Sequence, residues 1–319
     1  MMQYSMSARF QGAMLGAVAG AYWRQGRLSF HPEIAAIEEG AGNFGGVERV
    51  LSTANALSQH LITHDTRDIP WHLWDLPSGS VGDRSTQIAL LTLPLALYYH
   101  DNAARFHDCL QETVQAWGIP LEAIYPATVL REILAIAFRD PLKTSQLTQP
   151  ILSALHPNNA AVAFPEAHWR WLDAALSQRQ SLAIACSTLP SIPHTSTSLA
   201  IALLVFLTSP TDGAQALARA ATASSSALTA ALVGILAGCY NSIATFPDGC
   251  RGGGDRSASS PVEPSQSSNV HESWLQLADR LLARWAGVYL PQQSRPNRIL
   301  QAIASPQATR NGLSASKIM

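Results

Sequence analysis

The sequence predicts an all-α protein, and three observations carry that reading. Apolar residues recur at three- and four-residue spacing in segment after segment, while strand-like alternation is nearly absent. Charged residues supply 13% of the 319 positions and hydrophobic residues 47%, with Ala and Leu prominent. That charge share is about half the usual one, so the helices must bury a large core.

The chain opens with a helical run, Ala8 to Tyr22, in which Gly12, Gly16 and Gly20 fall every four residues and so share one face. Each glycine costs about 1 kcal/mol in a helix relative to Ala, so such a face points to close helix–helix approach. A loop-like stretch with Pro32 and the cluster Gly40–Gly46 follows, and Val47 to Thr63 returns to helical spacing. His64 to Gly82 is a polar connection rich in Trp and Pro. Asp83 or Ser85 is the predicted N-cap of the next helix, which Pro94 should kink.

Helices are then predicted over Ala103–Trp117, Ala127–Phe138, Thr144–Leu155 and Glu166–Leu176, with a short helix and loop across Ser181–His194. Leu199–Leu207 and Gly213–Ala223 lead to Ser224–Ile243, a segment that is small and apolar on every side. A helix apolar all round is buried, and Ala230, Ala231, Gly234, Ala237 and Gly238 would let neighbouring backbones come close. Asp248 to Asn269 is rich in Gly, Ser and Pro and reads as a disordered insertion. Order should resume over His271–Tyr289. The expected organisation is one domain over residues 1–290, interrupted at 248–270, with a polar tail over 291–319.

Several function classes lose support at this level. Net charge is −1 with no basic stripe, which speaks against nucleic-acid binding. Cys109, Cys186, Cys239 and Cys250 show no metal spacing and read as reduced thiols of a cytoplasmic protein. No secretory leader is evident at the N-terminus, and neither long apolar run reads as a membrane span.

Read together, these pieces resemble the ADP-ribosylglycohydrolase family, of the dinitrogenase-reductase-activating glycohydrolase type. The opening helix of that family has the form R-F-x-G-A-L-L-G-L-A-x-G-D-A, matched here by Arg9, Phe10, Gly12, Ala13, Met14, Leu15, Gly16, Ala17, Val18, Ala19, Gly20 and Ala21. A T-D-D-T-Q motif before an apolar helix corresponds to Asp83-Arg84-Ser85-Thr86-Gln87. A D-x-D-T motif before an Ala/Gly-rich helix corresponds to Ser225-Ser226-Ala227-Leu228. Phe246-Pro247 and Trp274 follow in the order of the family's I-P-x-x-W. The resemblance implies an ADP-ribosylglycohydrolase-like orthogonal helix bundle.

The same resemblance implies two Mg²⁺ or Mn²⁺ ions held by the aspartates of the two motifs, and a water activated between them. Hard cations need carboxylate oxygens. Here Arg84 and Ser85 stand at the first acidic pair, Ser225 and Ala227 at the last, and Ala21 at the Asp of the first helix. No metal ligand and no cofactor is therefore expected, and Asp83 is the one weak catalytic candidate beside the motif. Arg84, Ser85, Thr86, Gln87, Ser224, Ser225 and Ser226 are the candidate substrate-binding residues, with ADP-ribose or a related nucleotide as the implied ligand. The expected function is non-catalytic binding, scaffolding or regulation. The alternative is an ADP-ribosyl hydrolase with an altered or weakened metal site.

Three bland readings stand beside these. Ser224, Ser225 and Ser226 can simply cap the helix that follows. Trp71 and Trp74, flanking His72, can stack on an adenine or can plug the loop over the core. His60, His64, His72 and His100 form no HExxH motif and read as polar surface or loop histidines.

Overall fold

The computed structural model describes residues 4–23, 45–64, 69–74, 81–139, 144–156, 164–192, 197–224, 226–246 and 267–288. Among the described residues there is no strand, and the chain is all-α. The helices are α1 (Met6–Trp23), α2 (Gly45–Thr63), α3 (Val81–Leu91), α4 (Leu93–Tyr98), α5 (Ala103–Trp117), α6 (Tyr125–Arg139) and α7 (Thr144–Ala154). They continue as α8 (Glu166–Ser177), α9 (Leu182–Ser187), α10 (Thr197–Thr208), α11 (Gly213–Ala223), α12 (Ala227–Asn241) and α13 (Ser267–Trp285). None of the described helices is long and apolar enough to cross a membrane.

The small-residue segment is the centre of the fold. Leu228 to Cys239 of α12 are all buried, and α1, α3, α6, α10 and α11 pack around them. Its closest partner is α1. A Cβ built on Gly12 would overlap the carbonyl of Gly238, one on Gly16 that of Gly234, and one on Gly20 that of Ala230. Each four-residue step forward along α1 thus meets a four-residue step back along α12, so the two helices run antiparallel in backbone contact. The spacing of the glycines in α1 is therefore the spacing of its partner's carbonyls.

Polar side chains tie the remaining helices to this pair. Asp279 of α13 accepts hydrogen bonds from Ser7 Oγ at 3.0 Å and Gln11 Nε2 at 2.8 Å. The Arg9 guanidinium donates to the Ala137 carbonyl near the end of α6. Arg131, 4% exposed, donates Nε to the Tyr99 carbonyl and Nη2 to the His100 carbonyl, and pairs with Glu132 at 2.6 Å. A cation on the carbonyls just past the end of α4 satisfies free acceptors and complements the helix dipole.

Helix boundaries depart from expectation at two places. The helix expected to be capped by Asp83 or Ser85 begins at Val81, so both residues lie inside its opening turns. Ser85 and Thr86 are fully buried, and that burial outweighs the local capping preference of Ser and Asp. In the same region Pro94 divides α3 from α4 as expected, with Thr92 as the N-cap of α4. Helix α13 starts at Ser267, so its backbone takes in the last residues assigned to the insertion. The rest of the 248–270 segment, the 291–319 tail and Cys250 lie outside the described residues, whereas Cys109, Cys186 and Cys239 carry free thiols.

Candidate functional site

The helix ends that carry the motif positions gather at one end of the core. The antiparallel register places Gly20 at the start of α12, because its missing Cβ faces Ala230. Val18 and Tyr22, in the last turns of α1, share a groove with Glu48 and Leu51 of α2. Gly46, at the start of α2, faces Gln87 of α3, whose Nε2 would sit 3.8 Å from a Cβ on that glycine. The starts of α2, α3 and α12 are thereby linked in a chain of neighbours around the end of α1. Helix starts present unpaired N–H groups and the positive end of the dipole.

The hydroxyls at the start of α12 are occupied by capping. Ser226 Oγ accepts from the Leu228 N–H at 3.2 Å. Ser224 Oγ accepts from the Ser226 N–H and from Thr229 Oγ1, both at 3.1 Å. Ser225 lies outside the described residues. Ser226 is thus the N-cap of α12, and Ser224, the C-cap of α11, braces it.

At the start of α3 the polar groups are more deeply placed. Asp83 and Arg84 are half-buried, and Ser85, Thr86 and Gln87 are buried. Two atoms of this turn, Arg84 Nε and Gln87 Oε1, are sealed from solvent with no hydrogen-bond partner. One is a donor and the other an acceptor. Such atoms normally find partners, and each unmatched one costs about 1–3 kcal/mol.

Among the described residues the motif positions are poor in carboxylates for a pair of hard dications. Among the described residues no group of three or more His, Cys, Asp or Glu side chains comes together. The described motif positions present the Asp83 carboxylate, a guanidinium, buried hydroxyls and the Ala227 methyl, where a pair of Mg²⁺ or Mn²⁺ ions requires a shell of carboxylate oxygens. Asp101 lies beyond the end of α4, where it accepts from Trp285 Nε1 at 3.3 Å, and not beside Asp83. Asp65, Asp68 and Asp75 lie outside the described residues.

The aromatic loop is a plug. Trp117 Nε1 of α5 donates to the carbonyls of Trp71 at 2.9 Å and Trp74 at 3.0 Å. The Trp71 ring is buried and packs edge-on against Trp74 and Trp117. His72 is exposed, His60 and His64 stack ring on ring at 4.6 Å, and His100 is buried beneath Phe138 and Trp285 rather than on the surface.

Sequence reasoning missed the groove itself, of about 360 Å³, between α1, α2 and α13. Its polar wall is a stripe on α2, Glu48, Ser52, Asn55 and Gln59, at offsets of four, three and four residues. That spacing was a readable signal of one helix face. Glu48 Oε1 is sealed there without a partner.

A scan against models of known protein families finds no match for this chain, and a search of curated proteins finds none.

Proposed function

We propose that this chain is a binding protein on an ADP-ribosylglycohydrolase-like bundle, recognising ADP-ribose or a related nucleotide without metal. The single observation that carries the reading is the chemistry at the two motif helices. Ser226 caps α12 through its own Oγ, and Arg84 brings a guanidinium to the start of α3. Arg84 stands where the resembling family places a metal-binding carboxylate, and Ser226 lies between Ser225 and Ala227, the positions that correspond to its other acidic pair. A guanidinium supplies fixed positive charge and paired donors suited to phosphate, so an anion can be recognised there with no cation bridging it. The Gly-packed α1–α12 pair keeps the ends of those helices in register and supports the same architecture.

The test is a calorimetric titration with ADP-ribose, with and without a chelator, beside a hydrolysis assay on ADP-ribosyl-arginine and ADP-ribosyl-serine peptides. Expected are chelator-insensitive binding, about tenfold weaker binding by Arg84→Ala, and no turnover above a heat-killed control. Mg²⁺- or Mn²⁺-dependent turnover overturns the non-catalytic reading. Failure to bind ADP-ribose overturns the ligand. A further variant tests the motif correspondence: Arg84→Asp, Ser85→Asp, Ser225→Asp and Ala227→Asp together should create Mg²⁺ or Mn²⁺ affinity in a folded protein.

A further inference from the structure

The groove between α1, α2 and α13 has a chemistry of its own. Helix α2 presents two different faces. Val50, Leu57 and Leu61 are buried in the core, while Glu48, Ser52, Asn55 and Gln59 form the polar wall of the groove. Tyr22 and Trp274 supply aromatic surface from the two neighbouring helices. At about 360 Å³ the groove is in the range of small-molecule sites.

Its charge is one-sided. Among the described lining residues Glu48 is the only ionisable acid, and no Lys, Arg or His faces it. Glu48 Oε1 is sealed from solvent with no hydrogen-bond partner. That oxygen is closed to a ligand, and it is the remainder of this half-buried carboxylate that the groove presents. The nearby amides do not supply a donor to Glu48, since Gln59 Nε2 is turned to Asn55 Oδ1 at 2.8 Å. A hard metal ion is a poor fit, because it needs several oxygen ligands and the wall offers a single carboxylate. A cation with a carbon skeleton fits better: the charge meets Glu48, and the skeleton and charge both gain from aromatic faces.

We propose that this groove binds a small organic cation, an alkylammonium or guanidinium group, on Glu48 between Tyr22 and Trp274. The site is independent of the ADP-ribose reading and stands if that reading fails. The cation could arrive as a free amine or as the side chain of a peptide, and the same chemistry serves both.

The test titrates the full chain by calorimetry with n-butylammonium, n-butylguanidinium and the neutral n-pentanol, and with capped Ala-Lys-Ala and Ala-Arg-Ala peptides. At least one cation should bind about tenfold or more tighter than pentanol, and Glu48→Gln should remove that preference. Tighter binding of the peptides than of the free cations assigns the site to a side chain, and the reverse assigns it to a free amine. Ser52 is exposed on the rim, so Ser52→Trp should block binding without touching the core. ADP-ribose affinity should be unchanged in both variants, which separates this site from the one at Arg84. Equal binding of pentanol and the cations, or retained preference in Glu48→Gln, would each overturn the proposal.

Discussion

Gly16 and Gly234 lie back to back across α1 and α12, each with the other's carbonyl oxygen where its own Cβ would stand. The contact atoms are backbone, so no rotamer change relieves an added methyl. Gly12 with Gly238 repeats the arrangement one turn back, and one turn on Gly20 meets the Ala230 carbonyl. Gly16→Ala or Gly234→Ala gains up to about 1 kcal/mol of helix propensity. Against this stands the cost of forcing two helices apart, which is at or above the usual 1–3 kcal/mol of overpacking. Each variant is expected to lose about 3 kcal/mol, read from the urea midpoint at unchanged slope. A midpoint equal to wild type would mean that the two backbones are not in contact.

This pair also marks what was legible in the sequence. Glycines at Gly12, Gly16 and Gly20 announce a close approach because helical periodicity is local, and the small residues of α12 announce the same. That the two faces meet each other, antiparallel and in one register, depends on residues more than two hundred positions apart, and no local pattern carries it. The start of α3 was misread for a related reason: Asp83 and Ser85 have good capping chemistry, but tertiary burial of Ser85 and Thr86 places them inside the helix. The Glu48 groove was hidden because α13, from the far end of the described chain, joins α1 and α2 to build it, although the polar stripe on α2 was in plain view.

Ser242 ends α12 with φ 64° and ψ −175°, a backbone region that belongs to glycine. Its side chain returns little, accepting from the Ala244 N–H at 3.3 Å. Strain at such a position costs about 1–3 kcal/mol, and glycine adds back a smaller unfolded-state entropy. Ser242→Gly is therefore expected to stabilise the protein by about 1 kcal/mol. Differential scanning calorimetry checks it, and a lowered melting temperature would show that the Oγ cap outweighs the strain.

Asp279 holds α13 to α1 through Ser7 and Gln11, and burial pushes its carboxyl above the usual value of 3.8 even though both hydrogen bonds pull it down. A carboxyl whose folded pKa is raised holds its proton more tightly when folded. Its contribution to stability therefore falls as pH rises through the window above 3.8. Asp279→Asn keeps an acceptor for Ser7 and Gln11 without the charge. It should match or exceed wild type in urea midpoint at pH 7, with the difference closing toward pH 4. Asp279→Ala strands both donors and should cost about 1–3 kcal/mol. An Asn variant that loses ground as pH rises would reverse the sign argued here.

His100 and His168 set the acid limit from the opposite direction. Nδ1 of His100 donates to the Leu97 carbonyl at 2.8 Å, and Nε2 of His168 to the Pro190 carbonyl at 3.1 Å. Burial is the main effect lowering both below 6.5, and their carbonyl partners oppose it. Around His100 pack the rings of Phe10, Phe138 and Trp285, with Asp101 favouring the charged form and Arg131 and Arg139 disfavouring it. Below pH 6.5 the unfolded chain takes up protons on these histidines that the folded chain refuses, so stability falls as pH falls. Each histidine adds at most about 1.4 kcal/mol per pH unit to that slope. Urea midpoints of wild type should decline from pH 7 to pH 5. The double variant His100→Gln, His168→Gln, less stable at pH 7, should decline less. Equal slopes in the two proteins would place the acid sensitivity on other groups.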